Sequence, residues 1–207
     1  MGLPDEHGTR QLPIDVRQVR ATLMNTFLRR QLETFLRAVD AALDEPVDVV
    51  VIGGSAAALH YGVGRATHDI DTWTNVEARL AAAAASARVA TGLDVPLQKS
   101  GVADAPADFE SRLERVLPDL RKLTLFVPER HDLVLMKAVR CYEHDLEAIA
   151  EIHAHSRLDL DILVERFREE MSPIGDPVRI RRNFLVVVER LFPEAAESVA
   201  SRLRKTR

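Results

Sequence analysis

The hydrophobic pattern of the first half of the chain alternates between helical and strand-like stretches. Between residues 14 and 43, apolar residues recur every three or four positions, which predicts one helix, or two helices divided at Asn25 or Thr26. The β-branched apolar run at residues 47–52 predicts a short buried strand, and the run Leu123–Val127 predicts another. Strands interleaved with helices favour an α/β fold.

Between these two runs, the pattern predicts a helix, a short strand and a loop. Asn75 is expected to cap a helix that extends to about residue 90 and is closed by Gly92. Residues 93–97 predict an edge strand, because Pro96 is unfavourable in a central one. Residues 98–111 predict a loop.

The second half of the chain has helical spacing throughout. A helix is predicted to begin at Pro128, and an amphipathic helix is predicted over residues 159–171. After a linker, Asp176 is expected to cap a last long helix, with Pro177 at its first position. The predicted fold is therefore α/β, with a small mixed β-sheet flanked by helices in residues 1–127 and a helical region packed on it in residues 128–207.

Composition and charge narrow the class of protein. The 207 residues are 46% hydrophobic and 29% charged, as in an ordinary globular protein. A net charge of −4 argues against a protein that coats nucleic acid, although a local basic patch is compatible with it. Cys141 is the single cysteine, which excludes an internal disulfide. The N-terminus has no apolar signal region and no run of 18 apolar residues occurs, so we expect a cytoplasmic protein without a membrane anchor.

The first strand-like run ends in Gly53-Gly54-Ser55, and a short helix is predicted to start at Ser55. Glycine allows a ligand to approach the backbone closely. The free N–H groups at the start of a helix attract an anion. The segment therefore predicts a phosphate-binding loop with the Ser55 hydroxyl as a further donor, although a strand followed by two glycines often forms only a tight turn.

Asp69-Ile70-Asp71 predicts a second short strand with both carboxylates on one face. Two carboxylates one pleat apart repel each other unless a cation lies between them. Mg²⁺ binds one or two carboxylates together with substrate phosphates. An Asp-x-Asp pair is also common on solvated strands, so the pair gains specificity from its position after the glycine motif, with thirteen residues between Ser55 and Asp69.

These two motifs together resemble the signature of the DNA polymerase β-like nucleotidyltransferase superfamily. The lead-in Arg65-Ala66-Thr67-His68 resembles the minimal bacterial members related to abortive-infection (AbiEii-like) toxins. The resemblance implies transfer of a nucleotidyl group from an NTP to an acceptor hydroxyl on tRNA, on a protein or on a small molecule. It implies Asp69 and Asp71 as catalytic residues and as ligands of one or two Mg²⁺ ions, and Gly53, Gly54 and Ser55 as nucleotide-binding residues. It also implies a toxin of a toxin–antitoxin pair, with a cognate antitoxin as partner.

A segment in the second half extends the resemblance. The run from Leu133 to Ile149 resembles the part of AbiEii-like proteins in which a helix Lys contacts phosphate and a following Asp supports the site. The resemblance assigns nucleotide binding to Lys137 and Asp145. A helix with solvated charges is the alternative at these positions.

The third carboxylate that is usual in this superfamily has no clear counterpart in the sequence. Asp94, Asp104 and Asp108 are the candidates, and only Asp94 lies in a strand-like context. This departure favours an alternative function, in which the chain is a catalytically weak binding protein with the nucleotidyltransferase fold, or an antitoxin component.

Overall fold

The computed structural model describes residues 26–101, 104–171 and 176–204. The start of the predicted first helix, residues 14–25, lies outside the described residues. The strands in chain order are β1 (Val47–Val50), β2 (Ile70–Thr72), β3 (Leu97–Lys99), β4 (Glu114–Val116) and β5 (Leu123–Val127). The helices are α1 (Arg29–Ala42), α2 (Gly53–Tyr61), α3 (Ala78–Thr91), α4 (Arg130–Arg140), α5 (Glu143–His155), α6 (Leu160–Glu169), α7 (Pro177–Leu191) and α8 (Ala196–Arg204), with short 3-10 turns at Phe109–Arg112 and Pro193–Ala195.

The strands form a mixed arrangement built on β1. In a three-stranded sheet, β5 pairs parallel with β1 and antiparallel with β4. Strands β2 and β3 form a parallel pair. An antiparallel bridge between Val51 and Thr72 joins this pair to the end of β1. The loop that follows β1 and the strand that contains Asp71 are therefore neighbours, and the Ile52 N–H donates to the Asp71 carbonyl at 2.9 Å.

The predicted helix ends at Gly92 and Asp176 are confirmed, because the residues at those ends determine the local backbone. Gly62 and Gly92 adopt left-handed conformations that end α2 and α3, with φ of 72° and 67°. Asp176 caps α7 through the N–H groups of Val178 and Arg179. Asp159 caps α6 in the same way.

Several predicted boundaries are wrong. Helix α3 begins at Ala78, because the Asn75 side chain accepts a hydrogen bond from Lys99 Nζ at 2.7 Å instead of capping the helix. The strand expected at residues 93–97 is found at Leu97–Lys99, after Pro96. Strand β4 lies where no strand was expected, because its three residues are too few to show alternation. Leu28, whose spacing fits the apolar stripe predicted for residues 14–43, is 54% exposed and precedes α1.

One continuous apolar cluster holds the elements together. It contains buried residues of α1, of β1 and β5, and of the helices α4 to α8. Phe35 of α1, Leu125 of β5 and Phe184 of α7 are all almost completely buried members of it. Among the helices of the described residues, none has the length and apolar content needed to span a membrane.

Candidate active site

The loop after β1 turns sharply into α2 at Gly53. Its φ of 69° is a left-handed conformation that residues other than glycine rarely adopt. A Cβ at this position would lie 3.5 Å from Asp71 Oδ2. Helix α2 thus begins at Gly53, two residues earlier than expected, directly beside the Asp71 carboxylate.

Gly54 and Ser55 have contacts within the protein as well. A Cβ on Gly54 would lie 3.0 Å from Thr67 Oγ1, so the absence of a side chain here leaves room for the Thr67 side chain. Ser55 is buried, and its hydroxyl donates to the Ile52 carbonyl at 3.1 Å. The Ser55 hydroxyl therefore closes the turn in this structure.

The two aspartates of the Asp-x-Asp motif lie side by side. Asp71 is the middle residue of β2 and Asp69 directly precedes this strand, while Ile70 points the other way and is fully buried. Gln98, which is paired with Asp71 in the register of β2 and β3, donates from Nε2 to Asp69 Oδ2 at 3.0 Å. Gln98 thereby fixes the position of one carboxylate of the pair.

Burial raises the pKa of the Asp71 carboxyl, and the negative charge of Asp69 raises it further. Hydrogen bonding by Gln98 and the positive charge of Arg140 oppose this shift without cancelling it. The ionised pair is therefore electrostatically unfavourable in the absence of a cation.

Lys137 and Asp145 meet in the interior beside the aspartate pair. Both side chains are buried, and Lys137 Nζ lies 3.5 Å from Asp145 Oδ1. Burial lowers the pKa of the Lys137 ammonium, while the Asp145 charge acts in the opposite direction. Arg140 donates to the same Asp145 oxygen at 3.0 Å, and Asp145 Oδ2 has no hydrogen-bond partner among the described residues.

Two clefts meet at this cluster. The larger, of about 580 Å³, is lined by Gly54, Asp69 and Asp145 and by the exposed Arg65, among others. The smaller, of about 220 Å³, is lined by Gly53 and by the loop residues Ser100 and Asp104, over an apolar floor. Asp71, Lys137 and Arg140 line both clefts and so form their common wall.

The three candidates for a third carboxylate differ in position. The Asp94 side chain is 86% exposed and lies 3.5 Å from Arg88. Asp108 is exposed, and its N–H donates to Glu170 Oε2. Asp104 lines the smaller cleft together with Asp71, and its Oδ1 is buried without a hydrogen-bond partner among the described residues.

The loop that carries Asp104 is anchored on both sides. Glu170 accepts hydrogen bonds from the Asp108 N–H at 3.2 Å and from Arg112 Nη2 at 2.6 Å. On the other side, Trp73 donates to Glu110 at 2.7 Å and contacts Phe109 edge-on, with ring centroids 4.8 Å apart. Because Trp73 follows Asp71 by two residues, this contact couples the Asp104 loop to the aspartate strand.

The sequence reasoning missed several residues of these clefts. Arg140 is one helical turn after Lys137, and this spacing could have identified it. Gln98 was not identified because the sequence placed β3 at residues 93–97, which left Gln98 in a predicted loop. Arg179 of α7 reaches the smaller cleft only through the tertiary fold, and no local signal points to it.

The residues present suit Mg²⁺ in their chemistry. Carboxylate oxygens are the hard ligands this ion prefers, and a cation between Asp69 and Asp71 would relieve the repulsion that raises the pKa of Asp71. Over the described ranges, however, no group of three or more His, Cys, Asp or Glu side chains is arranged to hold a metal ion. The donor set that fits is thus the aspartate pair, with substrate phosphate oxygens to complete it.

The mixed sheet flanked by helices, with a glycine loop beside an aspartate pair, is consistent with a nucleotidyltransferase. A family model described as "Nucleotidyltransferase of unknown function (DUF6036)" matches residues 30–189. The match covers well over half of the 207 residues, so the chain belongs to this family and is a nucleotidyltransferase. Membership implies a nucleoside triphosphate substrate, and enzymes of this class typically use Mg²⁺. No curated protein and no solved structure matches the chain.

Proposed function

We propose that the protein transfers a nucleoside monophosphate from an NTP to an acceptor hydroxyl in a Mg²⁺-dependent reaction. The observation that carries this proposal is the larger cleft, in which the aspartate pair and Gly54 lie in one cavity with Lys137 and Arg140. A triphosphate needs positive charge and backbone donors, and this cleft offers both.

Each residue has a role that follows from its position. Gly53 and Gly54 begin α2, so their backbone N–H groups are donors for the triphosphate, and Lys137 and Arg140 neutralise its charge. The Ser55 hydroxyl would reach a phosphate only by leaving the Ile52 carbonyl, so we assign it first to the shape of the loop. Asp145 holds Lys137 and Arg140 on the wall of the cleft.

The transfer itself exchanges one P–O bond for another. The acceptor hydroxyl oxygen bonds to the α-phosphorus, and the bond from that phosphorus to the oxygen bridging the β-phosphate breaks, so pyrophosphate leaves. We assign the hydroxyl proton to Asp104, because its buried Oδ1 has no donor among the described residues. Asp69 and Asp71 would hold Mg²⁺, which when bound offsets the negative charge of the triphosphate and of the leaving pyrophosphate.

Calorimetric titration of Mg²⁺ with each NTP tests the assignment. Asp69→Asn combined with Asp71→Asn should abolish Mg²⁺-dependent nucleotide binding, because the ion loses both charged ligands. Without metal, the double variant should melt no lower than the wild type, since it removes like-charge repulsion. Asp94→Asn is the matched control, because Asp94 is exposed and lies outside both clefts. Unchanged Mg²⁺–NTP binding in the double variant would refute the site.

A second function is favoured by one observation. Within the described part of the chain, no three-ligand metal group is formed, which fits a binding protein of the same fold with weak or no catalysis, such as an antitoxin component. Thermal shifts separate the two functions: an enzyme should be stabilised by NTP and Mg²⁺ together and not by either alone. Equal stabilisation by nucleotide with and without metal would favour the binding protein.

We further propose a toxin of the abortive-infection type, on the resemblance carried by residues 65–68, Lys137 and Asp145. Expression should then arrest growth, and Asp69→Asn with Asp71→Asn should relieve the arrest. Growth arrest by the wild type and the double variant alike would contradict a toxin role that depends on nucleotidyl transfer.

A further inference from the structure

The smaller cleft has a composition that differs from that of the larger one. Ile52, Leu133, Met136 and Val139 form an apolar floor. Its volume of about 220 Å³ is below the range of about 300–1,000 Å³ that is typical of sites for drug-sized ligands. The cleft therefore fits one small group, and it is too small for a complete nucleoside triphosphate.

Two guanidinium groups border this apolar floor. Arg140 and Arg179 come from different helices, α4 and α7, and both are exposed. Arg179 Nη1 donates to the Val139 carbonyl at 3.2 Å, which holds the side chain over the cleft. An arginine has five N–H donors in a planar fork, so this bond leaves others that suit a phosphate or carboxylate.

One carboxylate oxygen in the lining of this cleft lacks a donor. Asp104 Oδ1 is buried and has no hydrogen-bond partner within the described residues, and a buried carboxylate oxygen without a donor is unfavourable. A ligand hydroxyl would supply that donor. The cleft thus combines a position for a hydroxyl at Asp104 with a position for an anion at the two arginines.

We infer that the smaller cleft is the acceptor subsite, and that it takes an acceptor whose hydroxyl lies close to an anionic group such as a phosphate. The inference rests on the proposed transfer reaction. Because Asp71, Lys137 and Arg140 line both clefts, we place the reacting phosphorus at this common wall. With the triphosphate in the larger cleft, the attacking hydroxyl approaches this wall from the smaller one. Arg179 selects the acceptor through its anion, which disfavours a neutral serine, threonine or tyrosine side chain of a protein.

The test uses calorimetry in two steps on the full chain. First, a non-hydrolysable α,β-methylene NTP with Mg²⁺ is titrated, and absence of binding at this step refutes the proposed function. Then, with that nucleotide saturating, inorganic phosphate, glycerol 3-phosphate and glycerol are titrated. Because the triphosphate positions are then occupied, we expect saturable binding of the two anions and no binding of glycerol.

Arg179→Ala should weaken the binding of glycerol 3-phosphate at least about tenfold and leave the affinity for the nucleotide unchanged. Arg179→Lys, which keeps the charge but not the planar fork, should restore part of it. Arg181→Ala is the matched control: it removes the same charge from the same helix, but Arg181 lines a separate groove beside Phe167 and Leu203.

A further titration distinguishes two kinds of acceptor that both carry a hydroxyl close to a phosphate. A short oligoribonucleotide carries a 3′-hydroxyl beside a phosphodiester, whereas glycerol 3-phosphate represents free phosphorylated small molecules. Tighter binding of either one, lost in Arg179→Ala and kept in Arg181→Ala, supports the anionic acceptor and identifies its source. The inference is overturned if no anion binds to the nucleotide-loaded protein, if both arginine variants lose binding equally, or if a neutral seryl peptide binds while the anions do not.

Discussion

Gly53 and Gly92 have the same left-handed backbone in different surroundings. Their φ values are 69° and 67°, but a Cβ on Gly53 would face Asp71 Oδ2, whereas nothing lies within 4 Å of one on Gly92. Substitution of either by alanine should therefore lower the free energy of unfolding by a similar amount, about 1–2 kcal/mol. Urea denaturation measures this loss.

Only Gly53→Ala should also weaken Mg²⁺–NTP binding, because Gly53 lies in the turn against the Asp71 carboxylate, whereas Gly92 ends α3 and lines neither cleft. Calorimetry on both folded variants provides the comparison. Equal nucleotide affinity in the two variants would show that Gly53 shapes the turn and does not contribute to nucleotide binding.

The site residues differ in how far the sequence could predict their positions. Asp69 and Asp71 follow from strand alternation, since Ile70 between them is fully buried. The burial of Lys137 does not follow from its spacing, because a lysine beside an apolar face is normally solvated. Its burial depends on Asp145, eight residues later and in the next helix, and such a pairing is a property of the tertiary fold.

The start of α4 is held by a buried ionic network. Asp132 is fully buried and receives two hydrogen bonds from Arg112, at 2.9 and 3.0 Å, and one from Arg166 at 2.9 Å. His131 pairs through Nδ1 with Glu129 at 2.8 Å and accepts the Asp159 N–H at Nε2, also at 2.8 Å. The network joins α4 to α6 and to the turn at Phe109–Arg112, and so supports the loop that carries Asp104.

Glu129 makes this network sensitive to acid. Burial alone would raise the pKa of the Glu129 carboxyl, but His131 and Arg166 outweigh it and lower the pKa from 4.5 to about 2. A depressed carboxyl pKa stabilises the fold above the unfolded value of 4.5, and this contribution is lost as the pH falls towards about 2.

Glu129→Gln should therefore lower the free energy of unfolding at pH 7, and its difference from the wild type should shrink between pH 4.5 and pH 2. Urea denaturation across this range is the measurement. Glu169→Gln is the control, since its side chain is 64% exposed and pairs only at 3.8 Å with Arg168. A difference from the wild type that does not change with pH would contradict the assignment to Glu129.

At the level of elements, strands with a strong apolar pattern can be predicted from the sequence, whereas very short strands cannot. The runs that form β1 and β5 are apolar enough to be recognised without any partner. Strand β4, Glu114-Arg115-Val116, has only one buried residue, and its pairing with β5 is what makes it a strand. Asn75 has the chemistry of a cap, but Lys99 on the neighbouring strand competes for its side chain.

The family match shows that the protein is a nucleotidyltransferase. Substitution of Lys137, which lies in the second half of the chain, tests whether this half binds the nucleotide together with the aspartate pair of the first half. Lys137→Ala should weaken NTP binding by about 2 kcal/mol and leave binding of the nucleoside unchanged, because the ammonium interacts with phosphate. Lys137→Arg should restore part of the affinity. Lys99→Ala, which removes an exposed lysine bonded to Asn75, is the matched control. Equal loss of nucleoside and NTP binding in Lys137→Ala would indicate a structural role instead.

The division at residue 127 is a prediction about organisation that unfolding experiments can test. The apolar cluster contains Phe35 from the first part and Phe184 from the second, and both are fully buried. Phe184 also stacks on Phe167, with ring centroids 4.1 Å apart. Because one core includes residues from both sides of the division, we expect the whole chain to unfold in a single transition.

Two substitutions, one on each side of the division, make this expectation specific. Phe35→Leu and Phe184→Leu each remove ring atoms from a fully buried position, and each should lower the free energy of unfolding by about 1–2 kcal/mol. In scanning calorimetry, both variants should shift the same single transition, with equal calorimetric and van't Hoff enthalpies. Two transitions, of which each variant moves only one, would instead establish an α/β domain and a helical region that unfold separately. The nucleotide would then stabilise both transitions only if Lys137 and the aspartate pair bind it together, since a ligand stabilises only the parts that hold it.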